Sequence, residues 1–154
     1  MPRSPLNILL ADDDKDDCFF FQEAVEELTL PTTFKETHDG EQLMQYLTDE
    51  RNEMPSVIFL DINMPRKNGF ECLREIKRNE KLKQLPVIIF STSYDEVKAN
   101  QLYEDGAHYY IRKPSDFEDL KKVIEYSLHL ISGEETLQPL RADFLLNKVK
   151  MKLA

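Results

Sequence analysis

Short strand-like runs alternate with longer helical patterns along this chain, and that alternation fixes most of what it can fold into. Residues 7–11 (NILLA) read as a buried strand. Phe21, Ala24, Val25 and Leu28 then recur at the spacing of one helix face. After Pro31, Thr32–Thr37 (TTFKET) alternates and is β-branched, the signature of a second strand. Asp39 is placed to cap a short helix carrying Leu43, Tyr46 and Leu47. Pro55 precedes a third strand, 56–60 (SVIFL), which ends at Asp61. Beyond the turn INMPRKNG comes a helix holding Phe70, Leu73 and Ile76. Pro86 leads into a fourth strand, 87–90 (VIIF), ending at Ser91. Residues 95–105 form a polar helix stopped by Gly106. A fifth strand, 108–112 (HYYIR), precedes a last helix capped by Asp116, with Phe117, Leu120, Val123, Ile124, Leu128 and Ile131 on its inner side. Strands joined by helical crossovers predict an α/β fold, a parallel sheet with helices on both faces and right-handed connections. Function in such open sheets collects outside the carboxyl ends of the strands.

The chain's 154 residues suit one domain with a proper core. With 41% hydrophobic and 32% charged residues, the composition is that of a globular chain and not a disordered one. No run approaches the roughly 18 apolar residues that span a bilayer, and MPRSPLN lacks a signal peptide's apolar region, so no membrane role is expected. Two cysteines, Cys18 and Cys72, read as small core residues in a cytoplasmic protein. A net charge of −9 argues against direct nucleic-acid binding. Neither a P-loop nor a zinc-finger pattern is present.

The strand ends carry the chemistry. The first strand runs into Asp12 and Asp13, the third into Asp61, the fourth into Ser91 and the fifth into Lys113. A parallel sheet brings these to one rim. Converging carboxylates repel unless a cation neutralises them, and an all-oxygen donor set suits a hard ion such as Mg²⁺. Lys113 adds a positive charge and Ser91 a hydroxyl, so the rim is suited to an anion beside a metal, such as a phosphoryl group.

The segments LLADD, FLDINMPRKNG, PVIIFSTS and GAHYYIRKP, in this order, resemble the receiver domains of two-component response regulators. The resemblance covers nearly all of residues 6–131 and extends to the single-domain type typified by the cyanobacterial phytochrome response regulators. It implies a flavodoxin-like, doubly wound five-stranded parallel sheet in the order 2-1-3-4-5 with five helices. It also implies roles. Asp61 accepts a phosphoryl group from a phosphohistidine on a sensor histidine kinase or phosphotransfer protein. Asp12, Asp13, Asp61 and the backbone carbonyl of Asn63 hold Mg²⁺, with Asp12 acting through water. Lys113 and Ser91 bind phosphoryl oxygens, Tyr110 is the switch aromatic, and the Lys113–Pro114 bond is cis. The chain would catalyse only its own phosphorylation and dephosphorylation. Its output would be a contact with a downstream protein that the sequence does not name, and a homodimer through the face from the fourth strand to the fifth helix is compatible with the family.

Other readings compete at particular residues. Asp12, Asp14, Asp16 and Glu23 match four positions of a calcium-binding EF-hand loop, but Asp17 stands where that loop needs glycine. Asp14 is better placed as a helix cap, with Asp16 and Asp17 in the first turn. Phe19 and Phe20 are expected to pack in the core, with a partner-docking patch as the functional alternative. His38, His108 and His129 show no metal-ligand spacing. Tyr109 and Tyr110 must face opposite sides of their strand, leaving one free for a partner. A haloacid-dehalogenase-type phosphatase would want a second aspartate where Asn63 stands, and a phosphorylation-independent binding module remains the alternative function. Residues 132–154 form a C-terminal extension too short for an output domain. Within it, Leu140, Phe144, Leu145, Val149 and Leu153 can line one side of a short helix whose end is made basic by Lys148, Lys150 and Lys152.

Overall fold

The computed structural model of the protein describes residues 4–132 and 137–146. Its elements are β1 (Leu6–Ala11), α1 (Lys15–Glu26), β2 (Thr32–Thr37), α2 (Gly40–Thr48), β3 (Val57–Leu60), α3 (Gly69–Arg78), β4 (Val87–Ser91), α4 (Glu96–Glu104), β5 (Tyr109–Arg112) and α5 (Phe117–Ile131), then a 3₁₀ turn (Arg141–Asp143) and β6 (Leu145–Leu146). All strands are parallel, in the order β2-β1-β3-β4-β5-β6. The expected doubly wound order is present, with one short strand added beside β5.

Two apolar layers explain why the central strands are unbroken apolar runs. Successive side chains on a strand point to opposite faces. Ile8 and Leu10 therefore join Phe21, Ile124 and Leu128 beneath α1 and α5. Leu9 and Ala11 join Leu43, Leu73 and Leu102 beneath α2, α3 and α4. β3 and β4 are buried along their whole length. β2 lies at an edge and keeps exposed residues, as its mixed composition requires.

Every α-helix starts on an acidic or amide cap. The side chains of Asp14, Asp39, Asn68, Asp95 and Asp116 each accept a backbone N–H of the first turn. At α3 the cap is reciprocal, since Glu71 reaches back to the Asn68 backbone. Gly106 follows α4 with φ 105°, a left-handed conformation that glycine adopts without steric cost.

Two sequence expectations are corrected. Phe19 and Phe20 do not pack in the core and are 57% and 50% exposed. Three consecutive helical residues fan out at about 100° each, so only one of the aromatic run can face inward. That one is Phe21, whose ring meets Phe34, Phe59 and Phe90. The described part of the extension also holds no α-helix of the kind expected. Residues 141–143 make a 3₁₀ turn, and Leu145–Leu146 pairs with Tyr110 and Ile111. The open hydrogen-bonding edge of β5 takes it as a strand. Val149, Leu153 and the three lysines lie outside the described residues.

Phe21→Ala should cost about 3–5 kcal/mol, because it empties an aromatic cluster at the centre of one layer. Phe19→Ala and Phe20→Ala should each stay within about 0.5 kcal/mol of the parent. Urea denaturation of the three variants reads both expectations.

Candidate functional site

The site is built where β1, β3, β4 and β5 end. The Asp12 N–H donates to the Thr37 carbonyl (3.0 Å) and the Asp61 N–H to the Ala11 carbonyl (2.9 Å), so sheet-like pairing continues one residue past the strands and fixes both aspartates. The Lys113 N–H likewise donates to the Ser91 carbonyl at 2.7 Å. Beyond β3 the chain doubles back tightly. The Gly69 N–H bonds the Ile62 carbonyl (3.1 Å). A Cβ on Gly69 would sit 2.6 Å from the Asp61 carbonyl oxygen, so the loop closes on Asp61 only with glycine there.

Asp12, Asp13 and Asp61 offer carboxylate oxygens that all lie within 4.8 Å of one another. Asp12 and Asp61 are buried, while Asp13 is exposed. Asp61 Oδ1 accepts the Asn63 N–H at 3.1 Å, and Asp12 Oδ1 accepts the Asp14 N–H at 3.0 Å. Lys113 Nζ lies 2.7 Å from Asp12 Oδ2, 2.8 Å from Asp17 Oδ2 and 3.5 Å from Asp61 Oδ2. It also sits 5.3 Å above the centroid of the Phe90 ring.

One ammonium thus serves three carboxylates. Burial alone would lower the Lys113 pKa, but the surrounding carboxylates outweigh it and hold the group well above its usual range. Asp12 shows the opposite imbalance. Burial raises its pKa, the Lys113 and Asp14 contacts oppose this, and the carboxyl settles at about 6. Lys113 approaches Asp12 Oδ2 closely yet makes no aligned hydrogen bond to it, and this buried oxygen has no other partner. Three converging carboxylates, an all-oxygen set served by a single ammonium, fit a hard divalent cation.

Ser91 is fully buried and its Oγ receives the Ser93 N–H at 3.5 Å, whereas Thr92 and Ser93 are exposed, so the buried hydroxyl at this strand end is that of Ser91. Tyr110 is 1% exposed, and its hydroxyl donates to the Ser93 carbonyl. Tyr109, on the opposite face, is half-buried against the α1/α5 layer, so it is not left free for a partner. The expected cis bond at Lys113–Pro114 is not found. No cis peptide occurs among the described residues, and trans is the lower-energy form even before proline.

Sequence reasoning placed Asp17 only in the first turn of α1. It does sit there, but it also pairs with Lys113 across the site. The signal was a further acid one helical turn beyond Asp13, on the helix that follows the acidic strand end. His38, which shows no metal-ligand spacing in the sequence, lies 2.9 Å from Glu36 and near Cys18. The end of β2 lies beside α1, which brings these groups together. The Cys18 thiol donates to the Asp12 carbonyl, and burial with Glu36 beside it pushes its pKa far up, which makes it a poor metal ligand. Beside Lys113 lies a small groove of about 130 Å³, lined by Asp17, Phe20, Phe90, Pro114 and Phe117.

With this geometry in view, the comparisons with known proteins agree. A family model for the response regulator receiver domain matches residues 8–125. The chain is 34% identical over 125 residues to the response regulator Rcp1 of Synechocystis, covering 79% of this chain and 85% of Rcp1. The phosphorylated cyanobacterial phytochrome response regulator RcpA superposes with a TM-score of 0.78 at 31% identity, over 88% of this chain and all of RcpA. The Mn²⁺-bound form of Rcp1 gives 0.75 at 32% identity, over 88% and 99%. The chain belongs to the response regulator receiver family. No described helix is long and apolar enough to cross a membrane.

The raised Asp12 pKa sets a sign for pH dependence in metal-free protein. The folded state binds this proton more tightly than the unfolded state, whose carboxyl titrates near 3.8, so stability falls as pH rises from about 4 through 6. Asp12→Asn keeps the shape without the charge. It should be more stable than the parent at pH 7, by on the order of 1–3 kcal/mol. The difference should close below about pH 4. Urea denaturation at the two pH values checks it, and a less stable variant at pH 7 would mean that the Lys113 pair outweighs the burial of Asp12.

Proposed function

We propose that this chain is a phosphorylatable switch of a two-component pathway, in which Asp61 accepts a phosphoryl group from a phosphohistidine. The observation that supports this most is the position of Asp61: buried at a strand end, 3.5 Å from Lys113 and grouped with Asp12 and Asp13. An Asp61 carboxylate oxygen attacks phosphorus. The bond from phosphorus to the donor imidazole nitrogen breaks, and its electron pair leaves with the imidazole. Water later attacks the aspartyl phosphate and releases inorganic phosphate.

Such transfer needs in-line placement and charge neutralisation more than covalent help. Asp12, Asp13, Asp61 and the Asn63 carbonyl would hold Mg²⁺, which when bound neutralises charge on the phosphoryl oxygens. Lys113 exchanges a carboxylate partner for a phosphoryl oxygen, and the Ser91 hydroxyl donates to another. Tyr110 relays the change to the surface around β4 and β5, where charge added at Asp61 biases the structure. Residues 6–131 form the receiver unit, and 132–154 its extension.

The donor would be a sensor kinase or phosphotransfer protein in the cytoplasm. The exposed α1 pair Phe19 and Phe20, meeting edge-on at 5.7 Å, and the groove that Phe20 lines beside Lys113 would form an apolar landing surface for that donor. Output is a protein contact. Asn63 stands where a haloacid-dehalogenase phosphatase needs its acid, and its backbone N–H is bound to Asp61, which argues against hydrolysis of external esters.

Incubation with acetyl phosphate and Mg²⁺ should add one phosphoryl group by intact mass. The adduct should vanish with chelator and in Asp61→Asn. No adduct in the parent, together with no beryllofluoride binding, would sink the proposal and favour a phosphorylation-independent binding module.

A further inference from the structure

We propose that Phe144, supplied by the C-terminal extension, is a positioning residue of the phosphoacceptor site, acting through Tyr110 and the loop between β4 and α4 to hold the Ser91 hydroxyl in place. This rests on the reading of Asp61 as phosphoacceptor.

The chain of contacts is continuous. Phe144 is fully buried, and its carbonyl accepts the Tyr110 N–H at 2.9 Å. Its ring meets the Tyr110 ring edge-on at 6.1 Å, and Tyr94 meets Tyr110 at 5.1 Å. Tyr110 is thus walled between an aromatic of the β4–α4 loop and one of the extension. Its hydroxyl is seated on the Ser93 carbonyl. Ser93 and Ser91 share a bond in turn. Without Phe144 the Tyr110 ring would have open space on one side, and the loop that follows Ser91, which meets Tyr110 through Tyr94 and the Ser93 carbonyl, would be held less firmly.

The extension is clamped independently at its outer side. Gln138 Nε2 donates to the Tyr103 and Ala107 carbonyls (2.6 and 2.8 Å), and the Tyr103 hydroxyl donates to the Pro139 carbonyl. Arg141 reaches Asn100 at 2.7 Å and Glu96 at 3.0 Å. These contacts tie the segment to α4 and to the turn that leads into β5, so Phe144 is held by more than its own burial.

The physical effect is pre-organisation. A site whose binding-competent arrangement is only partly populated binds its ligand more weakly by that fraction. Phe144 keeps Tyr110, and through it the Ser91 hydroxyl, in one arrangement. The carboxylate cluster lies outside this chain of contacts, so metal affinity should not follow.

The test is calorimetric titration of the full chain with beryllofluoride in saturating Mg²⁺, and separately with Mg²⁺ alone. Phe144→Ala should weaken beryllofluoride binding about 5-fold or more, the scale of ordinary coupling between sites, and leave Mg²⁺ affinity unchanged. Phe144→Leu should restore most of the loss. Arg141→Gln, which removes the clamp to Asn100 and Glu96 and the guanidinium above the Phe144 ring but leaves the ring itself, should shift binding the same way by less. Tyr110→Ala should show the full loss, with Phe144→Ala adding nothing to it. By reciprocity, beryllofluoride should slow hydrogen exchange of the Tyr110 amide, which Phe144 holds. Unchanged beryllofluoride affinity in Phe144→Ala, an equal loss of Mg²⁺ affinity, or additive losses with Tyr110→Ala would each overturn the inference. If the parent itself binds no beryllofluoride, the phosphoacceptor reading falls first and this one with it.

Discussion

The structure depends on a charge imbalance that it holds in one place: Lys113 facing Asp12, Asp17 and Asp61. A buried carboxylate loses its hydration, and one nearby ammonium restores only part of that loss. Here the ammonium is divided among three acids, with its two short contacts going to Asp12 and Asp17 and its longest to Asp61. The acid left least engaged by Lys113 is the one that would act as nucleophile. A carboxylate fully paired with an ammonium would have less electron density to offer. The same imbalance leaves the cluster short of positive charge, which a bound cation would supply.

Such a cluster persists only because the sheet leaves it no room to relax. Asp12 and Asp61 are held by backbone bonds to Thr37 and Ala11, and Lys113 by one to Ser91. The ends of β1, β3 and β5, linked through β4, therefore present their charges at fixed spacing. The two apolar layers make the strand ends rigid, and helix caps at Asp14 and Asn68 start α1 and α3 at the rim itself. The site's electrostatic cost is carried by a core that does not include it, a common division between scaffold and function.

What the sequence made legible follows the same division. Strands buried on both faces are unbroken apolar runs, so their ends, and with them Asp12, Asp61, Ser91 and Lys113, could be placed by inspection. Asp17 could be placed on α1 but not across from Lys113, because that depends on how α1 is rotated over the sheet. Phe19 and Phe20 were misread for a related reason. A run of aromatics does not say which member faces inward, and the answer came from the position of Phe21 over Phe59 and Phe90. In the extension, Leu140, Phe144 and Leu145 fit helical spacing, but so short a pattern does not separate helix from strand. The tertiary setting decided it.

That setting is the edge of β5. A strand edge offers unpaired N–H and C=O groups, and folded proteins cover or blunt such edges. Without residues 144–146, the Tyr110 amide would lack its partner, on the residue whose hydroxyl bonds the Ser93 carbonyl. Covering the edge with a strand from the same chain satisfies that amide and places Phe144 against the ring in one step. An edge blunted by charge alone would satisfy solubility but leave the ring's outer side empty. Choosing a paired strand therefore links two things that need not be linked, the protection of a sheet edge and the rigidity of Tyr110. It also follows that the face of β5 and α4 nearest the site is already occupied by the chain's own residues. A partner reading this face must contact the extension as well as the receiver unit.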